Sequence, residues 1–125
     1  MAGALTISTL KDSSGVLATQ NGMTGIAKAW VNYNGSAQTV TGSFNVSSVT
    51  YVSTGNYTVN FTTAMPNANY CAVVGATYTS TGGSNFNYGI DSATYSTTQL
   101  KVVYLTNSGA AFANTTLFNV AVLGN

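Results

Sequence analysis

The stretch Asn56-Tyr57-Thr58-Val59-Asn60-Phe61-Thr62 alternates large apolar and polar residues without a break. A period of two fits a strand with one buried face and one wet face. Similar runs of β-branched and aromatic residues recur along the chain, divided by Gly, Asn and Ser. They include the Lys28-Ala29-Trp30-Val31 segment, Phe44 to Val52, Tyr70 to Tyr78, Phe86 to Asp91, Gln99 to Thr106 and Leu117 to Leu123. Helical periodicity is nearly absent. Short strands at this spacing predict an all-β chain, an antiparallel β-sandwich of jelly-roll-like type.

Several elements carry finer expectations. Ser53-Thr54-Gly55-Asn56 reads as the turn of a hairpin. From Phe44 to Val52 the apolar phase slips at Ser47-Ser48, which predicts a bulge or a strand break. The Tyr70–Tyr78 run has a continuous apolar centre, the pattern of a fully buried strand. Cys71 within it reads as a small core residue, and Trp30 as a core or interface residue. Pro66, the only proline, marks a connection between strands.

Residues 1–25 differ from the rest. Leu5, Ile7, Leu10, Val16 and Leu17 are scattered among Ser, Thr and Gly and cannot build a core alone. This segment is expected to be an anchor, with the sandwich domain over 26–125. It has no basic start before an apolar run, so it does not read as a signal peptide. No run of 18 apolar residues is present, and no membrane insertion is expected.

The chain contains no His, Arg or Glu; Lys11, Asp12, Lys28, Asp91 and Lys101 are its only charged side chains. Acid–base catalysis, metal binding and phosphate recognition draw on the missing types. Asp12 and Asp91 are too far apart in sequence to suggest a paired-carboxylate site, and Cys71 has no His to activate it. No enzymatic activity, cofactor or metal is therefore expected. Three scattered Lys cannot supply the phosphate contacts on which nucleic-acid binding rests. The net charge is only +1 and 45% of residues are hydrophobic, so little repulsion keeps copies apart. A homo-oligomer, expected as a trimer, would cover that surface.

Ligand recognition, if present, must use aromatic faces, amides and hydroxyls. Tyr78, Phe86, Tyr88 and Tyr95 lie near the Gly82-Gly83 turn or follow it, and are the candidate ligand-contacting residues. Their competing role is core packing and cross-strand pairing. The loops 79–87 and 107–114 are the candidate sites. Five Asn-x-Ser/Thr triplets, at Asn34, Asn45, Asn56, Asn60 and Asn114, are of the kind a chain so rich in these residues produces by chance.

Three pieces occur in order: Ala27-Lys28-Ala29-Trp30-Val31-Asn32-Tyr33-Asn34-Gly35, then Ser43-Phe44-Asn45-Val46-Ser47-Ser48-Val49-Thr50, then Gly55-Asn56-Tyr57-Thr58-Val59-Asn60-Phe61-Thr62-Thr63-Ala64-Met65-Pro66 with Ala68-Asn69-Tyr70. Together with Ser8-Thr9-Leu10-Lys11-Asp12-Ser13-Ser14-Gly15 they resemble a tail-fibre-like module of tailed bacteriophage virion proteins, especially marine ones. The resemblance spans roughly residues 5 to 70. It implies a non-enzymatic structural protein on the surface of the phage particle, a small fibre, knob or decoration protein. Its partners would be other virion proteins, of the capsid in preference to the tail. The alternative it implies is a receptor-binding tip that recognises host surface glycan. Where the family often carries charge before the Phe-Asn-Val-Ser-Ser piece, this chain has Val40-Thr41-Gly42, and the turn before Tyr57 has no acid.

Overall fold

The computed structural model describes residues 26–77, 86–90, 95–106 and 114–124, with side chains described for all of these except 77, 86–90 and 106. Within them lie eight strands and no helix: β1 (Ala27–Asn34), β2 (Thr39–Phe44), β3 (Val46–Ser53), β4 (Asn56–Phe61), β5 (Cys71–Thr77), β6 (Phe86–Ile90), β7 (Gln99–Thr106) and β8 (Leu117–Leu123). They form two four-stranded antiparallel sheets, ordered β2-β1-β8-β5 and β3-β4-β7-β6. The expected β-sandwich is present. A jelly roll also pairs its first and last strands, but there the seventh strand lies between the second and fourth, whereas here β7 lies between β4 and β6.

Alternation builds the core between the sheets. Ala29, Val31 and Tyr33 of β1 and Phe118, Val120 and Val122 of β8 face Tyr57, Val59 and Phe61 of β4 and Leu100, Val102 and Tyr104 of β7; all are buried. Toward one end the core is aromatic. Tyr57 packs on Tyr33, Tyr51, Tyr104 and Phe118, with ring centroids 5.0 to 6.1 Å apart, mostly edge-on or tilted. Such geometry sets ring edges against ring faces. The other end is closed by Phe61, Met65, Tyr70 and Tyr95; Tyr70 lies 5.9 Å from Phe61 and 5.0 Å from Tyr95.

Phe44 and Val46 do not share a strand. β2 ends at Phe44, Asn45 takes φ 53°, and β3 begins at Val46 in the other sheet. A left-handed residue turns the chain sharply, and Asn is among the few side chains that adopt it readily. The slip expected at Ser47-Ser48 is also present, as a register shift between Val46 and Ser48. The hairpin expected at Ser53–Asn56 forms, with Gly55 at φ 69°.

β5 differs from its expectation. It is an edge strand; Val73 is 56% exposed and Cys71 is exposed, not in the core. Its inward residues Ala72, Val74 and Ala76 pack against the core, while its outward residues, Cys71, Val73 and Gly75, are also uncharged. An uninterrupted apolar run therefore did not mean burial on both sides.

Candidate functional site

Every strand has one end at a common pole. The β1–β2 and β3–β4 turns lie there, and so do the C-terminal ends of β5 and β7 and the N-terminal ends of β6 and β8. The chain enters β1 at the opposite pole. Loops 79–87 and 107–114, the candidate recognition loops, thus spring from the pole opposite the one where the chain enters β1. Their conformations, residue 86–87 backbone and Asn114 apart, lie outside the described residues, as do Tyr78 and the anchor candidates Leu5, Ile7, Leu10, Val16 and Leu17.

A hydrogen-bonded knot braces this pole. Asn114 Oδ1 accepts the Gly55 N–H at 2.9 Å and the Tyr57 O–H at 2.9 Å. Gly35 O, 3.2 Å from Tyr57 Oη, is the second acceptor that hydroxyl faces. Three turns are thereby joined to one core tyrosine. Gly35 has to be glycine: a Cβ there would stand 2.6 Å from Tyr57 Oη and 2.8 Å from Thr115 O. Burial pushes the Tyr57 phenol up to about 12, with smaller contributions from Tyr33 and Tyr51. Its role is that of a neutral donor. Asn34 Oδ1 closes the neighbouring turn by accepting from the Ser36 and Ala37 N–H groups at 3.0 and 2.8 Å.

The four aromatic candidates do not gather at one place. Phe86 and Tyr88 lie in β6, opposite Thr106 and Tyr104 in the ladder. Tyr95 lies at the other pole, half-buried against Tyr70, and burial, then the Cys71 thiol, raises its pKa. Its proximity to Phe86 in sequence misled because β6 carries the chain from one pole to the other. Tyr95 is a packing residue and leaves the candidate ligand surface.

At that opposite pole Asn45 clasps the sheets together. Its Nδ2 donates to Lys28 O on β1 at 3.0 Å and to Thr63 O beyond β4 at 3.1 Å. Its Oδ1 accepts the Thr63 N–H at 2.7 Å, and its backbone O accepts the Thr62 N–H at 3.2 Å. Asn60 Nδ2 meets Ser48 Oγ and Thr50 Oγ1, both at 3.0 Å, and Asn56 Nδ2 meets Ser53 Oγ at 3.1 Å. All five triplet asparagines are thus engaged in internal bonds. Four of the five sit in or beside a turn or crossing, where an amide can satisfy backbone groups.

Trp30 is not in the core. It stands 42% exposed on the outer face of the first sheet, beside a groove of about 450 Å³ lined by Trp30, Asn32, Val73, Gly75, Asn119 and Ala121, among others. Its Cα register partner is Phe44, also exposed. The sequence signal was available: Trp30 alternates with Ala29 and Val31, which are inward. Among the described residues no group of three or more His, Cys, Asp or Glu side chains comes together. The surfaces present offer stacking, amide and hydroxyl contacts. Comparisons with models of protein families, with curated proteins and with solved structures find no match.

Proposed function

We propose that this chain is a non-enzymatic structural protein of a tailed bacteriophage, displayed on the surface of the particle as a small knob or decoration protein and held there by residues 1–25. The polar separation of the sandwich carries the reading: the segment before Ile26 leads into one pole, and the braced turns lie at the other. Such a layout suits attachment at one end and display at the other. The resemblance over roughly residues 5 to 70 supports the virion setting. Rigid turns tied by amide bonds and an outer face of amides and hydroxyls suit a display module that has no reacting group to position.

The test has two parts. Copy number per particle, from a stained gel, should reach hundreds for a capsid protein; a few to a few tens places it on the tail. Deleting residues 1–25 should leave a folded sandwich that no longer joins particles. Incorporation at wild-type levels would refute the anchor. The convergence of both candidate loops at the braced pole favours a second reading, a tip that recognises host glycan. Tyr78→Ala should then weaken attachment to cells with folding intact, and unchanged attachment removes it for this pole.

A further inference from the structure

The two outer faces of the sandwich are built from different chemistry. On the second sheet, the rows Ser48-Asn60-Gln99 and Thr50-Thr58-Lys101 run across β3, β4 and β7, and Asn60 bonds both Ser48 and Thr50. Among the described residues, Val52 is the exposed large aliphatic residue of that sheet. On the first sheet, the row Phe44-Trp30-Ala121-Val73 crosses all four strands. Directly opposed residues of an antiparallel ladder share a face, so this is one continuous apolar ridge. The next row is Gly42-Asn32-Asn119-Gly75, lower at both edges because its edge residues lack side chains. Neither row carries a charge.

The ridge and the groove make this face self-complementary. Trp30 is a projecting ring on β1; a Cβ at Gly75 on β5 would meet nothing within 4 Å, so the floor there is open. β8 lies between the two strands. A two-fold axis lying in this face, crossing β8 between the two rows and inclined by roughly 35° to that strand, sets Trp30 of each copy over Gly75 of the other. We infer that two copies of this chain pack through this face, Trp30 of each entering the groove over Gly75 of its mate. Isologous contacts require this reciprocity: what one patch offers, the same patch on the other copy must accept.

Area supports a second copy as the occupant. Four strands about 4.8 Å apart and roughly seven residues long project a face of about 450 Å². Two such faces in full overlap remove about 900 Å², and the relief of Trp30, Phe44 and Val73 brings the upper limit to the ~1,000 Å² at which specific association begins, the range of a weak, reversible dimer. With no charge in either row, identical faces do not repel. A buried aromatic anchor in a pocket is the usual centre of such an interface. The pairing is two-fold, so it departs from the trimer expected from composition. It does not depend on the virion reading, which particle incorporation tests separately.

Trp30 is the only tryptophan, so its fluorescence reports its own burial. Sedimentation velocity and emission spectra of the purified full chain should be followed from about 1 to about 300 µM, a span suited to an interface of this size. The expected result is a monomer–dimer transition with a parallel shift of emission to shorter wavelength. Gly75→Phe fills the groove from open space, and Trp30→Ser removes the knob. Each should weaken association at least about tenfold, with the circular dichroism of the sandwich retained. If Trp30→Ser fails to fold, Gly75→Phe alone decides. A monomer throughout, a trimer whose Trp30 stays exposed, or wild-type association in Gly75→Phe would overturn the inference. So would an emission shift caused in the monomer by neutral oligosaccharide, which would assign the groove to a glycan.

Discussion

Replacing Asn45 should damage this fold more than its exposure suggests, and the damage can be divided into parts. Asn45→Ala removes three side-chain hydrogen bonds, to Lys28 O, Thr63 O and Thr63 N–H. At partly exposed positions these contribute roughly 0.7 kcal/mol each, about 2 kcal/mol together. Alanine must also hold φ 53°, which costs about 1 kcal/mol more than glycine in the left-handed region. The expected loss is about 3 kcal/mol, a large share of the stability of a small domain. At roughly 4 °C per kcal/mol for a chain of this length, the melting temperature should fall by about 12 °C. Asn45→Gly keeps the turn and loses only the bonds, about 2 kcal/mol. Asn45→Asp keeps the acceptor but faces a carboxylate toward two carbonyl oxygens. Those oxygens raise its folded pKa above the unfolded value. Its penalty should therefore shrink, relative to wild type, as pH falls toward 3 and protonation restores a donor. Urea titrations followed by circular dichroism measure all three. Losses below about 0.5 kcal/mol throughout would refute the clasp, and equal losses for Ala and Gly would refute the backbone argument.

Gly35→Ala should cost about 2 kcal/mol, because the new methyl meets both Tyr57 Oη and the Thr115 carbonyl. Tyr57→Phe alone should cost about 1 kcal/mol, and in a double variant it should recover part of the Gly35→Ala loss, read as a coupling energy from denaturant titrations. Stability should vary little from pH 5 to 9, since no His titrates there, and should fall as pH rises above about 10. The sign follows from burial: Tyr33, Tyr57, Tyr70 and Tyr95 all have raised pKa values, so the unfolded chain loses their protons first. Tyr57, at about 12 against 10, contributes about 2 to 3 kcal/mol that is present below pH 10 and gone above pH 12; thermal melts across that window check it.

The two-residue period made the strands legible. Tyr57, Val59 and Phe61 are inward, as their alternation with Thr58 and Asn60 requires. The division into sheets was not legible in the same way. Periodicity places a residue on one face of its own strand, but it does not say which sheet the strand joins. Phe44 looked continuous with Val46 because both are large and apolar and stand two apart. The single left-handed Asn45 between them sends one to each sheet. β5 shows the same limit: an apolar outer face can belong to a buried strand or to an edge strand awaiting a partner, and Val73 turned out to be of the second kind.

Polar residues were harder still, because their meaning lies in what the fold brings near. Asn114 is 57 to 59 positions from Tyr57 and Gly55, and no local pattern announces that it will bind both. Yet the poverty of charge already limited the answer. A chain with so few ionic groups must satisfy its turn carbonyls and amides with side-chain amides and hydroxyls, so its asparagines had to concentrate where strands end or cross. That also explains why the functional reading rests on surfaces. Asn34, Asn45 and Asn114 are engaged in holding turns and crossings, so the proposals rest on the outward rows and the pole. Among the described residues, the row containing Trp30 is the one that sets large apolar groups in water on three of its four strands, and so it is the face on which the proposed pairing rests.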